Sequence, residues 1–105
     1  MRASHILIEY RMKWPPSKAR HHRSKDDAEH LILSLRERFA NGESFSELAR
    51  AHSECASGKD GGDLGRFSHG QMARRFSDAA FALDVYELSD PVHTEFGVHL
   101  IYRTE

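Results

Sequence analysis

Disulfide partners, long apolar runs and an excess of charge are all missing from this sequence, and each absence excludes a class of protein. The single cysteine, Cys55, cannot form an internal disulfide, which favours a reducing compartment, so we expect a cytoplasmic or nuclear location. No apolar stretch approaches the roughly 18 residues that a membrane-spanning helix needs. The formal net charge of −1 gives no overall attraction to nucleic acid or to an anionic membrane, and we expect neither as a partner.

Metal-binding spacing is also missing, although the chain contains eight histidines. His21 and His22 are adjacent, so their side chains diverge in most backbone conformations. No Cys or His pair has the spacing of a zinc finger. We therefore predict no metal site.

The length of 105 residues predicts one domain over residues 1–105, with room for one hydrophobic core. Hydrophobic residues make up 39% and charged residues 30% of the chain, which is typical of a globular domain. Strand-like sequence begins at about residue 3 and ends at about residue 103, so we expect either a minimal single-domain protein or a module cut from a longer one. We expect it to be a monomer.

Apolar periodicity predicts four strands and three helices. Ser24 and Ser44 are each followed three positions later by an acidic residue, which is typical of a helix N-cap, and a third helix is predicted near residues 76–83. Because the order of elements contains no strand–helix–strand repeat, it predicts an α+β domain with helices around a small four-stranded antiparallel sheet. The predicted strands cover residues 3–10, 64–67, 89–94 and 98–102.

The segment from Ser53 to Met72 contains the only cysteine and five of the seven glycines. Its centre, Gly61-Gly62-Asp63-Leu64-Gly65, predicts a tight turn, a short strand and a second turn. With Ser4-His5-Ile6-Leu7 near the start and Gly97-Val98-His99-Leu100-Ile101 near the end, this segment resembles the parvulin-type peptidyl-prolyl isomerases. The three motifs stand in the family's order, so the resemblance covers nearly the whole chain.

The resemblance implies a parvulin-like fold and an enzyme that rotates X-Pro peptide bonds in protein segments, without a cofactor. It implies that His5, Cys55 and His99 are catalytic. We expect Cys55 to act as a polarised thiol and not as a covalent nucleophile, because rotation forms no bond to the substrate. The predicted substrate-binding residues are Leu64, Met72 and Phe76, which would hold the proline ring, and Ser57, Gln71 and Thr94, which match other positions of the family's site.

Each of these residue types also has a purely structural interpretation. Leu, Met and Phe near helix boundaries are usually core residues, a lone cysteine is usually a small buried hydrophobe, and a strand histidine is often a hydrogen-bonded core residue. The motif context favours the site. Two aromatic residues, Trp14 and Phe96, are expected either at the site entrance or packed beneath the neighbouring loop.

A basic segment at residues 11–23, with two prolines, follows the first predicted strand and predicts a loop. The phosphorylation-directed subgroup of the family places basic side chains here to bind phosphoserine or phosphothreonine before proline. By this resemblance, Arg11, Lys13 and Arg20 form a phosphate or acidic anchor. The chain departs from the subgroup at Glu9, where a lysine is common, and at Trp14, within the usual Arg-Arg position. A solvated charged loop without an anchoring role is the alternative.

The sequence therefore predicts a peptidyl-prolyl cis/trans isomerase of the parvulin type, closer to the phosphorylation-directed branch. Its substrates would be proline-containing segments with phosphoserine, phosphothreonine or an acidic residue before the proline. The alternative is a proline-motif binding or chaperone module that keeps the fold with weak or no isomerase activity.

Overall fold

A computed structural model describes residues 1–11 and 23–105 of the chain. Four strands form one antiparallel sheet in the order β2-β1-β4-β3, so the two longest strands lie at its centre. This arrangement confirms the predicted α+β class and the four-stranded antiparallel sheet. The elements in chain order are β1 (Arg2–Ile8), α1 (Lys25–Ala40), α2 (Phe45–His52), a short 3₁₀ helix (Ala56–Asp60), β2 (Asp63–Arg66), α3 (Arg74–Phe81), β3 (Val92–Thr94) and β4 (Gly97–Arg103).

Side-chain alternation on the central strands separates two cores. In β1, Ile6 and Ile8 face α1 and α2, whereas His5 and Leu7 face the opposite side, because successive side chains of a strand point to opposite faces. The α1 face is a closed apolar core with Ile32, Leu35, Val98 and Leu100 at its centre. The α3 face contains a smaller core built on Ala3, Phe67, Phe76, Ala80, Leu83 and Ile101.

The helix starts follow the predicted caps. The Ser24 hydroxyl accepts the backbone N–H of Asp27 at 3.0 Å, and Ser44 accepts that of Glu47 at 3.4 Å, so both capping predictions are confirmed. The first helix ends at Asn41, as the Asn-Gly pair predicts. Among the described residues, no helix is long and apolar enough to cross a membrane.

One predicted strand begins later than expected, and one short element was not predicted. The expected strand at 89–94 begins only at Val92, because Pro91 has no N–H to donate and interrupts the pairing with β4. Leu88 makes only an isolated bridge to Tyr102, and Ser89 exchanges hydrogen bonds with Ile101. The 3₁₀ helix at Ala56–Asp60 was not predicted, since five residues are too short for a periodic signal.

Candidate active site

A cavity of about 240 Å³ opens on the α3 face of the sheet. It includes all three residues predicted to hold the proline ring, together with both predicted histidines and Cys55. An empty cavity of ~150 Å³ accepts benzene, so this space accommodates a proline ring, which is smaller than benzene, and part of a neighbouring residue. The lining residues are His5, Leu7, Cys55, Leu64, Met72, Ala73, Phe76, Thr94, Phe96 and His99.

The floor of the cavity is a pair of histidines from the two central strands. Leu7 pairs with His99 across β1 and β4, so His5, two residues before Leu7, is the diagonal neighbour of His99 on the same face. Their Nδ1 atoms lie 3.0 Å apart, and the rings are nearly parallel, with centroids 5.2 Å apart. Each ring is 4% exposed, so the pair is a buried part of the fold as well as a wall of the site.

Burial keeps both imidazoles neutral. Desolvation lowers the pKa of His5 to about 4. Desolvation, followed by the neighbouring His5 and then His93, lowers the pKa of His99 to about 3. Neutral rings suit the Nδ1–Nδ1 contact, because one nitrogen must donate a hydrogen and the other must accept it.

Hydrogen bonds continue from the histidine pair to Cys55. The Ser57 hydroxyl donates to Cys55 Sγ at 3.3 Å, so the Ser57 oxygen is left to accept Nε2–H of His5 at 3.2 Å. Nδ1 of His5 then accepts from Nδ1–H of His99, and Nε2 of His99 accepts the Thr94 hydroxyl at 2.7 Å. Each donor in this chain points towards the sulfur, and donors aligned in this way reinforce one another.

Two glycines place the 3₁₀ helix against β1. Gly61 and Gly62 have φ values of 71° and 82°, which side-chain-bearing residues rarely adopt. Gly62 donates its N–H to the Ser57 carbonyl at 2.8 Å and accepts the His5 N–H at 2.9 Å. A Cβ at Gly62 would overlap the His5 carbonyl oxygen. The glycine motif therefore fixes the spacing between Ser57 and His5.

The apolar walls come from β2, from the turn before α3 and from α3 itself. Phe76 is buried and meets both histidine rings edge-on, with centroid distances of 5.4 Å to His5 and 5.2 Å to His99. Leu64 and Met72 are only partly buried, which leaves apolar surface open to a ligand. A purely structural interpretation fits Phe76 well, but it does not explain the exposed surface of Leu64 and Met72.

Gln71 is the one predicted pocket residue that does not line the cavity or join its hydrogen-bond chain. Its side chain is exposed, and its Oε1 accepts the Ser68 N–H at 2.6 Å, which closes the turn before α3. Its role in substrate binding stays a prediction.

Three lining residues were not predicted as site residues from the sequence. Leu7 follows His5 by two positions, so strand alternation could have identified it. Ala73 and Phe96 come from turns, where no periodicity indicates the direction of a side chain. Phe96 is 56% exposed, and its N–H donates to the Thr94 hydroxyl at 3.2 Å, so of the two expected placements it takes the one at the site entrance.

The predicted anchor begins beside this cavity. The backbone N–H of Arg11 donates to the Arg23 carbonyl at 2.7 Å, which closes the neck of the basic segment. Arg23 donates to Glu54 Oε1 and to the Glu9 carbonyl, both at 2.7 Å, and Glu54 directly precedes Cys55. Arg11 itself is exposed. Lys13 and Arg20, together with Trp14, lie outside the described residues.

The described arrangement contains an apolar slot, a thiol whose sulfur accepts the Ser57 hydroxyl and, at the neck of the basic segment, Arg11 and Arg23. Within residues 1–11 and 23–105, no group of three or more His, Cys, Asp or Glu side chains is placed to hold a metal ion. The site is thus equipped to enclose an apolar ring and to place the hydrogen-bonded thiol of Cys55 beside a neighbouring amide.

Comparisons with known proteins agree with this geometry. The PPIC-type PPIase domain family, also called rotamase, matches residues 5–105. A peptidyl-prolyl cis-trans isomerase Pin1 from Digitalis lanata is 46% identical over 99% of this chain and 95% of its own length. The pin1 isomerase of Rhizopus delemar is 47% identical over 99% of this chain and 72% of its own length.

Solved structures show the same fold. The peptidyl-prolyl isomerase ESS1 from Candida albicans superposes with a TM-score of 0.87 at 37% identity, over 99% of this chain and 62% of that one. The parvulin NmPin of Nitrosopumilus maritimus superposes with a TM-score of 0.75 at 35% identity. Sequence, fold and cavity together show that the chain belongs to the PPIC-type, or parvulin, family and is a peptidyl-prolyl cis-trans isomerase domain.

Proposed function

We propose that this isomerase prefers segments in which phosphoserine, phosphothreonine or an acidic residue precedes the proline. The observation that carries the proposal is the position of the neck of the basic segment. Arg11 and Arg23 meet shortly after the end of β1. Arg23 contacts Glu54, which is the residue before Cys55. Glu54, which holds Arg23, also donates its N–H to the Leu7 carbonyl at 2.8 Å, so the neck lies beside the cavity wall that Leu7 and Cys55 form.

The charges near the neck partly oppose one another. Residues 9–23 contain five basic side chains and one acidic side chain, Glu9. Arg23 is committed to Glu54, because its guanidinium is 27% exposed and lies 2.7 Å from the carboxylate. The remaining cations are Arg11, Lys13, Lys18 and Arg20, which outnumber Glu9. We expect a phosphate to be attracted, but less strongly than it would be without Glu9.

The residues of the cavity provide the contacts that rotation about an X-Pro bond needs. Twisting the amide of an X-Pro bond costs ~20 kcal/mol in water, because resonance is lost. Leu64, Met72 and Phe76 hold the ring by apolar contact. The sulfur of Cys55, which accepts the Ser57 hydroxyl, faces the carbonyl and favours the twisted amide electrostatically. No covalent intermediate is involved, and the enzyme acts on the peptide as a monomer.

Peptides matched except at the residue before proline test this preference. The rate constant kcat/KM is measured for Ser-Pro, phosphoSer-Pro and Glu-Pro peptides at low salt and again at high salt. We expect phosphoSer-Pro to be preferred at low salt, and the preference to shrink as salt screens exposed charges over ~10 Å at 0.1 M. The double variant Arg11→Ala/Lys13→Ala should abolish the preference.

Variants of Glu9 sharpen the test. Glu9→Lys should strengthen the preference for phosphoSer-Pro, because it converts a repulsive charge at the neck into an attractive one. Glu37→Lys makes the same charge change at an exposed position of α1 and should leave the preference unaltered. Equal rates on phosphorylated and plain peptides at low salt would show that the domain is an isomerase without phosphate selectivity.

A further inference from the structure

A second hydrogen-bond network lies on the face of the sheet opposite the cavity. The hydroxyl of Tyr10 is 3.0 Å from Nδ1 of His93, and Nε2 of His93 is 2.7 Å from Oε1 of Glu29. The three residues come from the end of β1, from β3 and from α1. None of them lines the cavity, so the isomerase site as described does not use them.

Glu29 and Tyr10, at the two ends of this network, hold the His93 ring between them. The carboxyl of Glu29 has a lowered pKa, mainly because His93 donates a hydrogen bond to it, so it stays an acceptor. The Tyr10 hydroxyl has a raised pKa, mainly because of its burial and then because of the Glu29 charge, so it stays a donor. His93 therefore donates Nε2–H to Glu29, while its Nδ1 lies against the Tyr10 hydroxyl.

Tyr10 connects this network to the neck of the basic segment, which we propose binds the phosphate of the substrate. It directly precedes Arg11, whose N–H closes the neck of the basic segment on Arg23. The Tyr10 ring also packs against the α1 core and meets the His93 ring at a centroid distance of 5.8 Å. The side chain is therefore held both by apolar contact and by its hydroxyl, and the chain leaves the fold from a fixed point.

β3 joins the two networks. His93 and Thr94 are consecutive, so their side chains point to opposite faces of the sheet. Thr94 holds His99 in the site, while His93 holds Tyr10 and Glu29 behind it. The short edge strand is thus fixed from both sides at the level of the cavity entrance.

We infer that Tyr10, His93 and Glu29 are positioning residues that hold the neck of the basic segment, and so set how strongly the domain selects an anionic residue before proline. This inference rests on the proposed phosphate preference. An anchor held in place loses less conformational freedom when it binds a phosphate. Releasing the neck should therefore weaken binding of the phosphorylated substrate, while the cavity on the other face continues to rotate the plain one.

Removal of single groups tests the inference. KM and kcat are measured for the phosphoSer-Pro and Ser-Pro peptides at low salt in Tyr10→Phe and Glu29→Ala. We expect the ratio of the two kcat/KM values to fall by about threefold or more, the effect of losing one hydrogen bond. The fall should arise from a higher KM for the phosphopeptide. The kcat/KM for Ser-Pro should stay within about twofold of the wild-type value, whereas loss of a contact in the pocket would lower it about tenfold.

Two matched variants act as controls. Glu29→Gln keeps an oxygen that can accept from Nε2–H of His93, so it should retain the ratio. Tyr86→Phe removes a hydroxyl from a tyrosine that is 71% exposed and should also retain it. Thermal unfolding of each variant is recorded alongside the rates.

The outcomes separate the two proposals. An unchanged ratio in Tyr10→Phe, or an equal loss for both peptides, would overturn the positioning role and leave the phosphate preference intact. A wild-type ratio of one at low salt would overturn both.

Discussion

The two faces of the sheet use the same strands for opposite purposes. On the α1 face, Ile6, Ile8, Val98 and Leu100 are fully buried in a continuous apolar core. On the α3 face, the alternate residues of β1 and β4 include two buried histidines, and the cavity lies above them. The comparison shows that alternate residues of one strand serve stability and catalysis. Substitutions at two neighbouring positions therefore affect different properties, one the core and the other the active site.

A large loss of stability should come from a substitution that disturbs both faces at once. Gly62→Ala places a Cβ against the His5 carbonyl and forces an L-residue to a φ of 82°. We expect a loss of about 3 kcal/mol in the free energy of unfolding, from backbone strain together with overpacking. Chemical denaturation measures it.

Gly65 provides the control for this substitution. Its φ is 71°, but no atom lies within 4 Å of the Cβ position, so Gly65→Ala should cost only the backbone term of about 1 kcal/mol. Equal losses in the two variants would contradict the close approach of Gly62 to β1.

The buried histidine pair predicts a pH dependence of stability to which the apolar residues of the α1 core do not contribute. Both histidines have pKa values lowered mainly by burial, to about 4 for His5 and about 3 for His99. Below their ordinary value of about 6.5, the unfolded chain binds protons that the folded chain excludes. Their contribution to stability is therefore complete above that pH and is lost as pH falls towards the folded values.

We expect the free energy of unfolding to drop by on the order of 5 kcal/mol between pH 7 and pH 4.5, because both histidines contribute. Equilibrium denaturation at a series of pH values measures the drop, and His5→Gln should reduce it because one buried imidazole is removed. A free energy that is constant over this interval would show that the pair is not held neutral by burial.

A smaller effect should separate the possible roles of Cys55. Cys55→Asp keeps a group that accepts the Ser57 hydroxyl, whereas Cys55→Ala keeps none. If the sulfur polarises the amide, we expect Cys55→Asp to retain more kcat/KM than Cys55→Ala, by about tenfold, the value of one charge-assisted hydrogen bond. If both variants were inactive and a covalent adduct with a peptide could be trapped, Cys55 would be a nucleophile instead.

The sequence predicts the fold and the residues that line the cavity better than it predicts the hydrogen bonds between those residues. Leu64, Met72 and Phe76 are predicted from the resemblance to the parvulin family, and they lie together in the cavity. The hydrogen bonds from His99 through His5 and Ser57 to Cys55 depend on sheet register and on the unpredicted 3₁₀ helix. Neither has a signal in local sequence.

The network behind the sheet was also inaccessible from the sequence. Tyr10, Glu29 and His93 are separated by more than 60 residues between α1 and β3, and no motif connects them. Their contact follows only from the packing of α1 across β3 and the end of β1. Polar contacts of this kind are set by tertiary structure, whereas the periodicity of apolar residues indicates only secondary structure and the buried face of each element.

One paired measurement tests the separation of the two faces most directly: kcat/KM and the free energy of unfolding, both determined for Met72→Ala and for Leu35→Ala. Met72 is a partly buried wall of the cavity, and Leu35 is fully buried in the α1 core. We predict that Met72→Ala loses about tenfold or more in kcat/KM with little loss of stability. Leu35→Ala should lose about 2–5 kcal/mol and keep its kcat/KM wherever it remains folded. Full activity in folded Met72→Ala, or an equal loss of activity in folded Leu35→Ala, would contradict the account.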